Sequence, residues 1–258
     1  MNADALLQAC RSYAPAADAF AGRVILVTGA TAGIGRAVAR DLVRHGATAI
    51  LHGRNEKALE ALYQELKPLG PEPAVVQLDL ERAQGPQYDS LTSEIETRYG
   101  RLDGILHNAA ILGDRSPIEH YDIGLWQRVM LVNLTAPFIL TRCLLPLLRK
   151  SADASVLFTT SSVGQRGRAY WGAYAVSKSG LEGLAEVLAD EFENTQIRVN
   201  LINPGGTRTR MRSRAFPAEN PETLPTADSV APSFLYLLGP ASAHVRGQRV
   251  ELRPPQST

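Results

Sequence analysis

The sequence predicts a single α/β domain in which a doubly wound parallel sheet of about seven strands carries helices on both faces. Two observations support this fold class. Strand-like aliphatic runs alternate with helical patterns along the chain. The chain has 258 residues, of which 45% are hydrophobic and 21% charged, as expected for one globular domain with a large core. The predicted strands are residues 24–28, 47–52, 74–79, 104–108, 154–160, 198–202 and 248–252.

The first predicted strand leads directly into a glycine-rich turn, Gly29 to Gly35 (GATAGIG), and a helical pattern follows at residues 36–43. A strand, a glycine turn and a helix in this order place a pyrophosphate at the helix N-terminus, where backbone amides meet it without a blocking Cβ. The G-x-x-x-G-x-G spacing departs from the commoner G-x-G-x-x-G pattern. A glycine turn without a ligand is the alternative, and the flanking strand and helix favour dinucleotide binding.

Tyr174 and Lys178 are four residues apart in a helical segment, so both side chains lie on one helical face. A free tyrosine titrates near ~10, and three units of pKa depression correspond to about 4 kcal/mol. A neighbouring ammonium would supply part of this, and the positive charge of a nicotinamide would add more. Alone, such a pair is more often an aromatic residue and a lysine on a half-buried helix; the surrounding motifs favour catalysis.

These motifs and four further matches resemble the short-chain dehydrogenase/reductase family, which has a Rossmann-type fold, over residues 22–247. The family's glycine motif matches residues 28–35, and its Asn-Asn-Ala-Gly motif appears as residues 107–110 (HNAA). Its catalytic serine matches Ser161, 13 residues before Tyr174, with Ser162 as the neighbouring alternative. Its asparagine matches Asn133, and its Pro-Gly motif matches residues 203–209 (NPGGTRT). Residues 165–174 and 205–209 resemble the bacterial YciK-type subgroup, whose substrate is unassigned.

The resemblance implies four catalytic residues. Tyr174 would exchange a proton with the substrate oxygen and Ser161 would orient that oxygen. Lys178 would hold the nicotinamide ribose and lower the tyrosine pKa, and Asn133 would anchor a water. Individually, Ser161 is also interpretable as a strand-end cap and Asn133 as a buried partner at a helix kink. The cofactor-binding residues implied are Gly29, Thr31, Gly33, Ile34, Gly35, Arg54, Asn55, Asp79, Asn108, Ala109, Lys178, Pro204, Gly205, Thr207 and Thr209.

The choice between NADP(H) and NAD(H) is predicted from the residues after the second strand. Gly53 occupies the place of the acidic residue that would bind a ribose 2′-hydroxyl, and Arg54 follows it. A hydrogen bond to a charged group contributes about 1.5–3 kcal/mol, or roughly ten- to a hundredfold preference. The sequence therefore favours NADP(H) over NAD(H), unless Arg54 is a solvated loop residue. Asp79 would lie near the adenine or cap the next helix.

Residues 1–20 are predicted to form an N-terminal extension, and residues 21–258 a dinucleotide-binding and catalytic domain. Within it, residues 210–228 are irregular and carry three prolines. They are predicted to form a substrate loop or lid, with a passive surface loop as the alternative. Arg210 and Arg212 belong to an arginine-rich rim that would receive an anionic substrate such as a 3-oxoacyl thioester, or would serve salt bridges and subunit contacts.

The predicted function is that of an NADP(H)-dependent carbonyl reductase or alcohol dehydrogenase acting on a small molecule. The alternative is a non-enzymatic NADP-binding redox sensor. A net charge of +1 disfavours a nucleic-acid partner. The two cysteines lack metal-site spacing, so no metal is expected.

Residues 129–148 are apolar over the length of a membrane span but contain Asn133, Arg142 and two prolines. A buried helix is therefore predicted rather than a membrane segment. In the family, this helix and the one carrying Tyr174 pack against another subunit, and we expect a homodimer or homotetramer. No secretory signal is recognisable near the start of the sequence, so a cytoplasmic location is expected.

Overall fold

The computed structural model describes residues 2–253 and contains one seven-stranded, entirely parallel sheet. Its strand order is β3-β2-β1-β4-β5-β6-β7. The strands are β1 (Val24–Thr28), β2 (Thr48–Gly53), β3 (Ala74–Gln77), β4 (Gly104–His107), β5 (Ala154–Thr159), β6 (Ile197–Asn203) and β7 (Arg249–Glu251). The predicted sheet is confirmed. Most strand ends shift by one residue, and β3 stops two residues early because Asp79 accepts a hydrogen bond from the Glu81 amide in a turn.

Helices fill the intervals between the strands and cover both faces of the sheet. They are α1 (Ala3–Ser12), α2 (Gly33–Arg44), α3 (Glu56–Leu66), α4 (Gly85–Tyr99), α5 (Ile123–Met130), α6 (Ala136–Leu148), α7 (Ser162–Gln165), α8 (Gly172–Glu191), α9 (Arg210–Ala215) and α10 (Ala227–Leu238). Helices α1, α2, α3 and α10 bury their apolar side chains against one face, and α4, α6 and α8 against the other. This two-sided cover explains why the strands are almost continuously hydrophobic.

Alternation along β1 separates the two apolar layers. Ile25 and Val27 point into the layer under α2 and α10, whereas Val24 and Leu26 point into the layer under α4, α6 and α8. All five residues of β1 are buried. Because successive side chains of a strand point to opposite faces, one short run of branched residues joins both cores.

The segment before β1 packs on the body of the domain. Leu6 and Cys10 of α1 are buried in the layer that also contains α10. The hydroxyl of Ser233 donates to the carbonyl of Cys10 (3.0 Å). The guanidinium of Arg11 donates to the carbonyl of Leu252, just beyond β7. Helix α1 therefore connects the start of the chain to the last strand.

Helices α5 and α6 are joined by a π-helical segment, Leu131–Thr135, into one apolar helix. Within residues 2–253 this helix, Ile123–Leu148, is long and apolar enough by length and composition to cross a membrane. Half of its most apolar window is nevertheless buried inside the protein. Leu140, Leu144 and Leu147 pack in the layer that α4 and α8 also cover. In this fold it is a core helix with one side, including Phe138, left exposed.

Strand order reverses between β1 and β4, because the chain first runs outward through β2 and β3 and then returns to the other side of β1. Open parallel sheets bind ligands in the crevice at such a switch point, beyond the carboxyl ends of the strands. The segments leaving β1, β4, β5 and β6 at this edge carry most of the predicted site residues.

Candidate active site

The glycine turn after β1 packs so tightly that its glycines are required. Gly29 has φ of +66°, and a Cβ there would lie 3.0 Å from the Cα of Ala109. A Cβ on Gly35 would lie 2.3 Å from the carbonyl oxygen of Gly29 and 2.7 Å from the amide nitrogen of Asn108. These contacts bring the predicted motif after β1 against the predicted motif after β4.

Helix α2 begins at Gly33 with its first amides free of any side-chain cap. The N-cap residue, Ala32, makes no side-chain hydrogen bond, and the first turn contains no acidic residue. Free amides and the helix dipole together favour an anion at this position. The uncapped amides at the start of α2 fit a dinucleotide pyrophosphate. Thr31 and Ile34, also predicted to contact the cofactor, lie in this turn and in the first turn of α2.

Thr28 joins the two motifs, although its place in the glycine motif predicts no individual role for it in the site. Its hydroxyl accepts hydrogen bonds from the amides of Asn108 (2.9 Å) and Ala109 (3.0 Å) and donates to the carbonyl of Leu106 (3.1 Å). The side-chain amide of Asn108 donates to the carbonyl of Thr28 (3.3 Å). The sequence feature that could have indicated this role is a hydroxyl residue, Thr28, at the end of an otherwise aliphatic strand.

The residues after β2 and β3 border a groove of about 250 Å³ lined by Arg54, Gln77, Asp79 and Arg82 among others. Arg54 is exposed and makes no ion pair among residues 2–253. The side chain of Asn55 caps α3 by accepting from the Ala58 amide (2.9 Å). Arg54 therefore offers the groove a basic side chain that can bind a phosphate. Asn55 already has a structural role as a helix cap.

Tyr174 and Lys178 lie on the same face of α8, as predicted from their spacing, and both are buried. The ammonium of Lys178 lies 5.8 Å from the centroid of the tyrosine ring and donates to the carbonyl of Thr159 (2.7 Å). Ser161 follows β5, and its hydroxyl interacts with the phenol of Tyr174. Ser161 has the N-cap position of α7 but makes no side-chain cap hydrogen bond, so its hydroxyl serves the tyrosine instead.

Burial dominates the electrostatics of this pair. It raises the pKa of Tyr174 to about 12, although the interaction with Ser161 acts in the opposite direction. It lowers the pKa of Lys178 to about 8, although the negative charge of Glu182 opposes this. The sequence predicted that Lys178 would lower the tyrosine pKa. The protein's own groups instead leave the phenol protonated, because desolvation of a phenolate outweighs the attraction of an ammonium at this distance.

Asn133 lies in the π-helical segment and is 1% exposed. Its side-chain oxygen accepts from the amide of Ile111 (2.8 Å), and its side-chain nitrogen donates to the carbonyl of Ile111 (2.9 Å) and the hydroxyl of Ser177 (3.0 Å). Ser177 in turn donates to the carbonyl of Tyr174 (2.8 Å). Asn133 thus connects the loop after β4 to the helix of Tyr174. Both of its amide hydrogens are used, which leaves only its oxygen to accept a further hydrogen bond.

The loop after β6 lies beside the glycine turn. Pro204 and Thr207 are buried, and Gly205 has φ of +70°. The hydroxyl of Thr209 caps α9 by accepting from the Arg212 amide (3.2 Å), and its methyl group would lie 3.2 Å from a Cβ on Gly33. The predicted Pro-Gly motif and the glycine turn are therefore in contact, and the hydroxyl of Thr209 already has a structural role as a helix cap.

The two arginines predicted to bind substrate differ in their surroundings. Arg212 forms a bidentate ion pair with Glu219, with both distances 2.6 Å, and lies over the ring of Phe216 at 3.8 Å. Arg210 is exposed and makes no ion pair among the described residues. Arg212 is therefore held within its own loop, whereas Arg210 is free to meet a charged group.

The sequence matches the family model described as short chain dehydrogenase over residues 23–220. The uncharacterised oxidoreductase YciK of Escherichia coli (strain K12) is 47% identical over 243 residues, which cover 94% of this chain and 96% of that relative. A solved short chain dehydrogenase from Salmonella enterica serovar Typhi has a TM-score of 0.92 at 47% identity and covers 94% of this chain and 100% of its own. A structure from Escherichia coli CFT073, solved in complex with NADPH, has a TM-score of 0.90 at 47% identity, with 93% and 100% coverage.

Proposed function

Because the chain belongs to the short-chain dehydrogenase/reductase family, we propose that it reduces a carbonyl group with NADPH or runs the reverse oxidation of an alcohol. The observation that carries this proposal is the buried pair of Tyr174 and Lys178 on one face of α8, with the partly exposed Ser161 at the phenol of Tyr174. A proton donor, a hydroxyl that would orient the substrate oxygen and a cation within reach of both are the groups this reaction requires.

NADP(H) is the proposed cofactor, in preference to NAD(H). The uncapped start of α2 and the crowded glycines Gly29 and Gly35 suit the pyrophosphate. Gly53 places no acidic side chain where a ribose 2′-hydroxyl would bind, and Arg54 beside it is exposed and forms no ion pair with the residues that the structure describes. The NADPH bound to the structurally similar protein from Escherichia coli CFT073 supports the same choice.

When bound, NADPH supplies the hydride that adds to the carbonyl carbon. The remaining steps belong to the chain. Ser161 would donate a hydrogen bond to the substrate oxygen, and Tyr174 would transfer its phenolic proton to that oxygen. The carbonyl then gains a hydride, with its two electrons, at carbon and one proton at oxygen, and it becomes an alcohol with no net change in charge. The raised pKa of Tyr174 ensures that the phenol enters the reaction protonated.

Lys178 stabilises the tyrosinate that remains after proton transfer. Its pKa of about 8 keeps most of the ammonium charged at neutral pH. Its hydrogen bond to the Thr159 carbonyl fixes the ammonium near the phenol ring. Asn133 holds the helix of Tyr174 against the loop after β4 through Ser177, which fixes the distance between catalytic and cofactor groups.

Among substrates, we propose a small carbonyl compound with an anionic handle, such as a 3-oxoacyl thioester. Arg210, which is exposed at the start of α9 and makes no ion pair within residues 2–253, supports this proposal. Arg212 contributes less, since Glu219 already neutralises it. The non-enzymatic redox sensor is the weaker alternative, because the sequence contains all four residues that the family uses for catalysis.

We also propose a homodimer or homotetramer in the cytoplasm. Phe138 of α6 and Val176 and Val187 of α8 expose large apolar side chains on neighbouring helices, as an interface between copies would require. Both cysteines, Cys10 and Cys143, are free, which suits a reducing compartment.

The test is NADPH consumption across a panel of β-ketoacyl thioesters, quinones, diketones and aldehydes, with Tyr174→Phe alongside. Turnover by the native protein that falls at least about a hundredfold in the variant is expected, since general acid catalysis contributes 10²–10⁴-fold. Tight NADPH binding without turnover of any member would instead favour the sensor. Arg210→Ala should raise KM for the anionic thioester while leaving KM for a neutral diketone unchanged.

A further inference from the structure

The segment that would cover the substrate is closed at its base. Arg208 and Thr226 form an isolated parallel bridge, and the amide of Arg208 donates to the carbonyl of Pro225 (2.8 Å). Between these two points the chain forms α9 and a 3₁₀ turn, Pro221–Thr223. We call residues 210–225 the lid. Its base is fixed by the bridge, so any opening requires the contacts at its far side to break.

The far side of the lid is held by Arg115, which comes from the loop after β4. The guanidinium lies 4.9 Å from the ring centroid of Trp171 and 5.1 Å from that of Phe216. It also donates to the carbonyl of Ala215 (2.5 Å), the last residue of α9. One side chain therefore contacts the lid at two residues and the segment before α8 at a third.

The same contacts lead to the reacting group. The rings of Trp171 and Phe216 are 5.7 Å apart, and those of Trp171 and Tyr174 are 5.8 Å apart. Met211 of the lid packs with Tyr174 in a small apolar cluster. Movement of the lid at Phe216 would therefore expose the side of Tyr174 that these residues cover.

The backbone holds Trp171 in place for this contact. Tyr170, immediately before it, is the one non-glycine residue between positions 2 and 253 with a positive φ (+70°). At Gly172, immediately after it, a Cβ would lie 2.8 Å from the ring of Tyr121. Strained backbone persists only where the surroundings enforce it, and it occurs often at ligand clamps. Trp171 is thus a fixed anchor, and the lid is the movable partner.

We propose that Arg115 is a positioning residue that latches the lid over Tyr174 and against the glycine turn. The proposal rests on the proposed function, since it takes Tyr174 as the reacting group. Opening of the latch frees α9, and with it Thr209, whose side chain lies beside Gly33. The latch thereby controls both the entry of substrate and the release of the nicotinamide cofactor.

Trypsin tests the latch directly, because Arg210 and Arg214 are exposed cleavage sites within the lid. In the full-length protein with NADPH bound, Arg115→Ala removes two cation–π contacts and one charged hydrogen bond. Cleavage at these two sites should accelerate about tenfold. Cleavage at the exposed Arg82, outside the lid, should not change. NADPH release is measured from the fluorescence of NADPH after mixing with excess NADP⁺. Its rate should also be higher in Arg115→Ala than in the native protein.

Three further variants separate a latch from general loosening. Arg149→Ala also removes a cation–π contact, with Phe192 on a different part of the surface, and should leave lid cleavage unchanged. Phe216→Leu should accelerate lid cleavage, and adding Arg115→Ala to it should accelerate it little further, because both act on one contact. Arg115→Lys keeps the charge without the planar guanidinium and should resemble Arg115→Ala.

Unchanged lid cleavage and NADPH release in Arg115→Ala would overturn the proposal. Equal acceleration at Arg82 and in the lid, with a lower Tm, would also overturn it, because it would mean global destabilisation. Neither measurement needs a carbonyl substrate. If Arg115→Ala accelerates lid cleavage and NADPH release but the native protein reduces no carbonyl compound, the proposed reductase activity fails. The role of Arg115 as the latch over the NADPH site would still hold.

Discussion

The two ends of the sheet treat buried charge in opposite ways. At the amino ends of the strands, Arg198 is 1% exposed, yet its guanidinium donates to Asp153, Ser242 and the carbonyls of Leu237, Leu238 and Gly239. At the carboxyl ends, Lys178 is 2% exposed and its ammonium makes a single hydrogen bond within residues 2–253. A saturated charge stabilises a fold, whereas an unsaturated one remains available for a ligand or a proton.

The carboxylate at the amino end illustrates the difference further. Burial acts to raise the pKa of Asp153, but hydrogen bonds and charge from Arg198 and Arg23 lower it overall. No such partner overcomes burial at Tyr174, whose pKa rises to about 12. The comparison indicates that the groups at the amino ends of the strands stabilise the fold, whereas those at the carboxyl ends carry the chemistry. Removing one buried charge at each end tests this difference.

The largest effect on stability is expected from Arg198→Met at the amino end. The substitution removes the Arg198 donors from Asp153 and from three backbone carbonyls, and it leaves Asp153 with Arg23 as its remaining ion-pair partner. We expect the free energy of unfolding to fall by about 3–5 kcal/mol, the range for breaking a buried ion pair on one side. Urea unfolding followed by circular dichroism measures it. Turnover per folded molecule should stay near that of the native protein. A loss below 1 kcal/mol would contradict the structural role assigned to this end.

Lys178→Met at the carboxyl end should have the opposite profile. Turnover should fall at least about a hundredfold, because the tyrosinate formed on proton transfer loses its stabilising cation. The free energy of unfolding should rise by about 1 kcal/mol, since a desolvated ammonium with one hydrogen bond is replaced by an apolar side chain of similar length. Retained turnover, or destabilisation as large as that of Arg198→Met, would remove the distinction between the two ends.

Acid should destabilise the protein through two histidines near the carboxyl end. Burial lowers the pKa of His52 to about 4 and that of His107 to about 3, so both are neutral in the folded state. The unfolded chain binds protons below ~6.5, and stability is therefore complete above that pH and declines as pH falls towards 4. At pH 5 each histidine should account for a loss of about 2 kcal/mol.

His52→Leu tests the origin of this pH dependence. Urea unfolding at pH 5 and pH 8 should show a smaller stability difference in the variant than in the native protein. His120→Leu changes an exposed histidine and serves as the control. An unchanged pH dependence in His52→Leu would assign the acid sensitivity to other groups.

Local sequence patterns were sufficient to predict the fold and to predict that the site motifs lie close together. The aliphatic run of β1 has the predicted bounds, Val24–Thr28, and the spacing of Tyr174 and Lys178 places them on one face of α8 as expected. Motifs that follow parallel strands meet at one edge of the sheet, so their order in the sequence predicted their proximity.

Contacts between distant loops were beyond prediction. Arg115, Trp171 and Phe216 come from three separate segments, and nothing in any one of them indicates the other two. The raised pKa of Tyr174 has the same origin, because burial depends on how Met211 and Trp171 close over the phenol. The pairing of Arg212 with Glu219 depends on the turn after α9, which the residues alone did not specify.

The smallest expected effect concerns a charge outside both buried networks. Arg54 is exposed at the end of β2 and lacks an ion-pair partner among the described residues, so its removal should leave stability unchanged within about 0.5 kcal/mol. Arg54→Ala should nevertheless raise the Kd for NADPH about tenfold, because one hydrogen bond to a charged 2′-phosphate is lost. The Kd for NADH, which lacks that phosphate, should hardly change. Arg82→Ala gives a matched control for the general loss of positive charge beside the groove.

Equal weakening of both cofactors would mean that Arg54 acts only through long-range attraction. Selective weakening of NADPH, without any loss of stability, would show that a single solvent-exposed side chain at the carboxyl end is committed to ligand recognition, in the same way as the unsaturated Lys178 is committed to proton transfer.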